Sequence, residues 1–432
     1  MKILLIMPDG KIHKLKFGSF EKSMREAPLT MTVLASLTPK ELNAEIRIVD
    51  ESVDKIPKDY EADIVGISVI TGTANRAYEI ADYYRKKKIT VVLGGVHVTM
   101  LPEESKKKAD SVVIGSAEKS WPRLLKDFAK GDIKKEYKEV PNDSRTFSYP
   151  IPERKLQKSK KYIAPNTVMA TRGCMQQCEF CTIPALGYKY SKRAIGDVIK
   201  DVKSFESNRF VFSDVSLVDD VEYAKELFTA LIPLKKKWGG LATTKIVHQP
   251  EMVELMYKSG CKYLLIGFES FQKKALKEIN KSFNNKENYK KLMTMTHSFD
   301  ISVQGCFIFG FDNDKKDIFE KTVALVNELK IDIPRFSILT PYPGTNLFMR
   351  LSEERRIFDY NWDHYDTAHV VFKPKNMLPE ELYEGYKFSY KETFKFSQIL
   401  KRSAGFRYSN IINFLGNVNY KKFSRRINKC RT

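Results

Sequence analysis

The sequence predicts an α/β protein: an N-terminal doubly wound parallel sheet, a partial barrel of six βα units, and a small, mainly helical carboxyl-terminal domain. Three observations predict it. Short unbroken runs of Val, Ile and Leu alternate with helix-length stretches through residues 1–140. The same rhythm resumes at Thr167, and after Pro341 it gives way to an aromatic-rich stretch. Unbroken apolar runs mark strands buried on both faces, and strand–helix repetition marks parallel pairing.

Within residues 1–140 the runs 3–6, 46–49, 64–69, 91–93 and 112–114 predict strands, and 29–37, 74–87 and 118–130 predict helices. Gly72, Gly94, Gly95 and Gly115 fall just past strand ends. There, in open parallel sheets, ligands bind against closely approaching backbone. No G-x-G-x-x-G follows the first strand, which argues against a dinucleotide site. Residues 141–165 hold prolines and many charges without an apolar period, and predict a linker crossing the surface.

From Thr167 on, strands are predicted over 167–170, 210–213, 241–244, 263–267, 303–309 and 336–339. Helices are predicted over 194–205, 221–231, 250–258, 287–298 and 314–329. Six units fall short of a closed eightfold barrel, so residues 166–345 should form an open one, with 346–432 as the last domain.

Composition limits the class. At 432 residues, 42% hydrophobic and 29% charged, the chain is long enough for several cores and is not a disordered type. No run approaches the ~18 apolar residues of a membrane span. The first residues read as a buried strand, not a secretory signal, so a cytoplasmic location is expected. The net charge of +21 suits a lysine-rich solvated surface, an anionic membrane or an acidic partner.

The six cysteines are unevenly placed: none precedes Cys174, then Cys178 and Cys181 follow at once, while Cys261, Cys306 and Cys430 stand alone. That is not a disulfide framework. Thiolates clustered as C-x3-C-x2-C bind iron–sulfur or zinc. Structural zinc wants four ligands, and no fourth Cys or close His follows, so the spacing favours iron–sulfur. A [4Fe–4S] cluster on three thiolates leaves one iron open to another ligand.

The stretch from Arg172 through Cys181, with Phe180 before the last Cys and a partial barrel behind it, resembles the radical S-adenosylmethionine (SAM) superfamily. The resemblance implies that Cys174, Cys178 and Cys181 hold the cluster and that its open iron chelates SAM. Cleavage of SAM would then give a 5′-deoxyadenosyl radical that takes hydrogen from the substrate. It also implies that Phe180, Gly267, Glu269, Ile308 and Leu339 contact SAM. A Glu ending a strand is by itself more often a surface or ion-paired residue; its place after the cysteine loop raises Glu269 above that.

The first segment narrows the family. Residues 63–68, 91–97, 101–104 and 109–118 are similar to the flavodoxin-like cobalamin-binding domain of class B radical SAM enzymes. Residues 362–366 and 371–374 are similar to the branch containing hopanoid C-2 methylases. This implies a cobalamin site at Ser68, Thr71, Gly94, Gly95, Val96, His97, Gly115 and Glu118. Glycines suit a flat corrin because they place no side chain in its way. His97 fits a loop cap as well as a corrin contact.

There are departures from the family pattern. Cobalamin proteins that ligate cobalt through His carry D-x-H-x-x-G after the first strand. Here Asp9-Gly10-Lys11-Ile12-His13 sets the His too far on and Lys16 replaces the Gly, so no such bond is expected. Gly115-Ser116-Ala117-Glu118 stands for Gly-Glu-x-Glu, and Asp214-Val215-Ser216 for Asp-Asp-Asn.

The resemblance implies an enzyme that methylates an unactivated carbon through the deoxyadenosyl radical and methylcobalamin. The alternatives are a non-methylating oxidative cyclase or carbon–carbon coupling enzyme on lipid or tetrapyrrole, and a non-catalytic cobalamin- or lipid-binding sensor. Methylthiotransferases of this layout need three further cysteines in the first domain, and residues 1–173 contain none. The expected partners are a small-molecule or lipid substrate and an electron donor such as flavodoxin or ferredoxin. No nucleic-acid recognition fold is visible. Residues 399–432 are basic and aromatic with no Asp or Glu, which fits a solvated tail or peripheral contact with an anionic membrane at its inner face.

Overall fold

The computed structural model describes residues 1–10, 16–17, 22–57, 60–139, 145–404 and 409–427. Lys11, Ile12, His13 and Cys430 lie outside the described residues. In chain order the strands of the first segment are β1 (Lys2–Met7), the hairpin β2 (Lys16–Phe17) and β3 (Lys22–Glu26), β4 (Glu45–Asp50), β5 (Ile64–Ser68), β6 (Thr90–Gly94), β7 (Ser111–Gly115) and β8 (Glu136–Glu139). All but the hairpin form one parallel sheet in the order β4-β1-β5-β6-β7-β8. The order reverses between β1 and β5, the switch point where doubly wound sheets bind ligands. Buried aliphatic cores cover both faces, as unbroken apolar strands require.

The sequence reading has no β8. That strand reads Glu-Tyr-Lys-Glu because it lies at an edge, where Tyr137 is buried and its neighbours reach solvent. The surface linker is also corrected. Within it β9 (Tyr162–Ala164) runs parallel to β3, and the Tyr162 hydroxyl donates to Asp50 Oδ2 at 2.7 Å. Thr167 Oγ1 donates to the Ala27 carbonyl at 2.6 Å, so the segment straps the two sheets together.

The barrel strands are β10 (Thr167–Val168), then the short antiparallel pair β11 (Thr171–Arg172) and β12 (Ser191–Lys192), then β13 (Arg209–Phe212), β14 (Lys237–Ala242), β15 (Cys261–Glu269), β16 (Ser302–Phe309) and β17 (Ile333–Ile338). Six of them form a second parallel sheet in sequence order, β10-β13-β14-β15-β16-β17. Strand β14 begins earlier than its apolar run suggests because Gly239 and Gly240 carry no pattern, yet a Cβ at Gly240 would press on Leu217 at 3.0 Å. Strand β17 tolerates Pro334 because it is an edge strand.

That edge is closed by the helix Pro379–Thr393, whose Tyr390 hydroxyl accepts from the Phe336 amide at 3.2 Å and donates to its carbonyl at 2.9 Å. The last helix, Ser409–Ile427, packs on the same core. Asn417 donates to the Asp332 carbonyl at 2.7 Å, and Tyr420 stacks on Phe394 at 5.4 Å. Among the described residues no helix is long and apolar enough to cross a membrane.

Candidate cofactor and methyl-transfer site

Both sheets turn their carboxyl-terminal edges toward one seam. Ser68, Gly94 and Gly115 end β5, β6 and β7 side by side. Across the seam Tyr188 meets Ser116 at 3.4 Å, and Arg172, the residue two before Cys174, pairs with Glu118 and lies over the Phe147 ring at 4.5 Å. The chain therefore brings the glycine-lined edge and the cysteine loop together across that seam.

The loop's conformation is fixed from outside. Gly173 has φ +82°, and a Cβ there would lie 2.8 Å from the Lys189 carbonyl. Asp214 is buried and accepts from the Ala170 amide at 3.0 Å and the Thr171 hydroxyl at 2.8 Å. Burial pushes its carboxyl up to about 7. Asp219 accepts from the Met175 amide at 2.9 Å and from Cys174 Sγ at 3.4 Å. Glu179, inside the loop, is gripped by Arg350 at 2.7 and 3.2 Å.

Burial pushes the Cys174 thiol up to about 12 and the Cys178 thiol to about 11, and raises Cys181 as well. Such thiols ionise when a metal cation displaces the proton, which suits cluster ligands. Among the described residues no three His, Cys, Asp or Glu side chains meet around a single ion. A cubane needs no such meeting, because each thiolate takes a different iron. The residues present fit the group.

Glu269 ends β15 with φ +62° and is 7% exposed. Lys281 Nζ donates to its Oε1 at 2.6 Å. Burial disfavours the ammonium, yet Glu269 and the Cys178 thiol beside it hold Lys281 above its ordinary value. A Cβ on Gly267 would strike the Glu269 carboxylate, so only Gly leaves this cradle open. Ile308 is half-buried on β16, Phe180 packs partly buried against the barrel core, and Leu339 is buried with its amide on the Phe309 carbonyl.

On the other edge Gly95 has φ +104°, and a Cβ would lie 2.7 Å from the Val69 carbonyl. Gly115 and half-buried Val96 stand beside it. His97 is held from within the domain. It is 0% exposed, with Nδ1 3.3 Å from the buried Thr71 hydroxyl and Nε2 3.1 Å from Tyr78. Trp362 packs edge-on at 5.4 Å. Both ring nitrogens are thus engaged within the domain, the arrangement of a residue that caps the loop. A cavity of about 530 Å³ opens at the switch point, lined by Asp9, Gly10, Gly72, Arg76, Glu79 and Asp363.

Sequence reasoning missed Lys281, Asp219 and Arg350. Each acts across a distance in the chain and sits in no motif, so the sequence carried no signal that would have found them.

This arrangement defines an enzyme of two facing cofactor sites: a corrinoid edge and a sulfur-loop barrel. Residues 1–125 match the B12 binding domain and residues 168–326 the Radical SAM superfamily. The bacteriochlorophyllide d C-12(1)-methyltransferase of Chlorobaculum tepidum is 34% identical, over 99% of this chain and 94% of its own. Its C-8(2)-methyltransferase is 31% identical, over 91% of each. The methyltransferase TsrM of Kitasatospora setae, solved with cobalamin and a [4Fe–4S] cluster, shares the fold at TM-score 0.69 and 13% identity, with 99% of both chains covered. The chain belongs to the cobalamin-dependent radical SAM methyltransferases, which work with a [4Fe–4S] cluster, SAM and cobalamin.

Proposed function

We propose that the chain methylates an unactivated carbon of a cyclic tetrapyrrole. The observation that carries the reading is the seam, where the glycine edge and the cysteine loop are joined through Arg172 and Glu118. The substrate class is supported by the two relatives above 30% identity, both named for a bacteriochlorophyllide. The bound groups supply a hydrogen-abstracting radical and a transferable methyl.

The chain's own residues do the positioning. Cys174, Cys178 and Cys181 hold the cluster, and Asp219 and Asp214 fix their loop. Glu269, set by Lys281, would accept a hydrogen bond from the amino group of SAM, with Phe180, Gly267, Ile308 and Leu339 around it. Ser68, Gly94, Gly95, Val96 and Gly115 give the corrin a flat seat, and Glu118 ties that seat to the barrel. Behind the strands the rings of Phe309, Phe336 and Tyr390 pack together and support the sheet.

The reductant is an acidic flavodoxin or ferredoxin, which suits the net charge of +21. Anionic membrane contact is supported by one patch. Phe396, Leu400, Ile411 and Leu415 are 51, 49, 68 and 48% exposed on the last two helices, beside Lys401 and Lys422. Among the described residues of the tail, Phe414, Tyr420 and Phe423 pack partly buried against the barrel core.

Anaerobic turnover of the reconstituted protein with a chlorin tests the reading. A gain of one methylene supports it; a loss of hydrogens means cyclisation, and absent SAM cleavage means a sensor.

A further inference from the structure

Among the described residues, the inner face of the barrel carries a cation, Arg335, with no ion-pair partner. The register pairs Gly267 with Cys306 and Cys306 with Arg335, so these three form one row across β15, β16 and β17. At about 4.8 Å per strand step, Arg335 starts roughly 10 Å from Gly267, within a guanidinium's reach of the middle of the lumen. Gly267 lies against Glu269 and Lys281. The Cys306 thiol feels Arg335 from one side and Glu269 and Lys281 from the other.

Among the described residues nothing forms a hydrogen bond or ion pair with Arg335, and its nitrogens are not among the sealed, unpartnered ones. Its surroundings are phenols: Tyr342, Tyr386, Tyr390 and Tyr420 all sense its charge. Other deep-set cations are answered, Arg193 by Asp201 at 2.7 Å and Lys281 by Glu269 at 2.6 Å. An interior cation without a partner is costly, and a guanidinium fork matches a carboxylate in geometry and charge.

We propose that Arg335 anchors a carboxylate of the methyl acceptor inside the barrel. This deepens the reading above and rests on it: the acceptor is a free acid, and a neutral polycyclic lipid is disfavoured. The carboxylate of SAM is the other source of the same chemistry, and the test separates the two.

Cofactor-loaded protein is titrated with a chlorin free acid and its methyl ester, and with palmitate and methyl palmitate. SAM affinity is measured alongside by equilibrium dialysis. The chlorin acid should bind about tenfold tighter than its ester, as a charge-assisted pair implies. Arg335→Gln should erase that preference, Arg335→Lys should keep part of it and serve as the folded control, and SAM affinity should stay within about twofold, below the tenfold step of one such pair. Acids binding no better than esters in both pairs, or Arg335→Gln weakening SAM as much as the acid, would overturn the proposal. A palmitate preference with weak binding of both chlorins leaves the anchor standing and removes the tetrapyrrole. Chlorin acid and ester binding tightly and equally does the reverse.

Discussion

Lys281 Nζ lies 2.6 Å from Glu269 Oε1, and Glu269 itself holds a left-handed φ of +62° at the end of its strand. That conformation is uncommon outside Gly and is kept where surroundings over-determine it. Here Asn284 donates to the Gly267 and Phe268 carbonyls at 3.1 and 2.9 Å, and the Tyr289 hydroxyl reaches the Ser270 carbonyl at 2.7 Å. Lys281→Met would leave a buried carboxylate alone and should cost about 3 kcal/mol of stability in denaturant unfolding. Glu269→Gln should stay folded and lose about tenfold in SAM affinity, the scale of one charged hydrogen bond. Parent-like SAM binding by Glu269→Gln would remove it from the site.

Gly95→Ala separates backbone need from general tolerance. Its new Cβ would lie 2.7 Å from the Val69 carbonyl, whereas a Cβ at Gly131, also left-handed, would meet nothing within 4 Å. Gly95→Ala should cost about 2 kcal/mol and release cobalamin on gel filtration, while Gly131→Ala costs only about 1 kcal/mol of backbone strain and retains it. Equal retention by both would remove Gly95 from the corrin seat.

Acidity should leave a mark at Asp314. It is buried, accepts from the Gly310 and Phe311 amides at 2.9 and 3.0 Å, and burial pushes its carboxyl up to about 7 from 3.8. A carboxyl raised on folding keeps its proton in the native state while the unfolded chain has lost it. Its contribution to stability therefore falls as pH rises through that window. Melting temperatures of the loaded enzyme measured from pH 5 to 8 should decline less steeply for Asp314→Asn, which mimics the neutral acid. An unchanged slope counts against this origin.

Liposome co-sedimentation tests the helical patch. Anionic vesicles should retain the protein at low salt and release it at high salt, because screening weakens surface attraction. The double variant Ile411→Ser and Leu415→Ser should bind several-fold less, given about 25 cal/mol for each Å² of apolar surface withdrawn from water. Neutral vesicles binding as well as anionic ones would contradict an electrostatic contact.

Buried parallel strands announced themselves because each carries an unbroken apolar run; β5, Ile-Val-Gly-Ile-Ser, is typical. The edge strand β8 did not, and at the edge strand β17 the pattern misplaced the limits. Glu-Tyr-Lys-Glu in β8 and Pro334 in β17 reflect solvent and unpaired backbone, so pattern alone could not find their limits. The cysteine loop was legible because its three ligands are local in sequence. Partners joined only by folding, such as Arg350 on Glu179 or Arg172 on Glu118, were not. The surroundings of His97 were illegible for the same reason: an isolated His carries no record of its neighbours, and here these are Thr71, Tyr78 and Trp362.

The most direct measurement supplies SAM with a trideuterated methyl group to the reduced, cobalamin-loaded enzyme and follows a chlorin acceptor by mass spectrometry. The account predicts an acceptor bearing an intact CD3 group, formed in step with 5′-deoxyadenosine. Deoxyadenosine released while the acceptor stays unlabelled, or loses hydrogens without gaining carbon, would contradict methyl transfer at this seam.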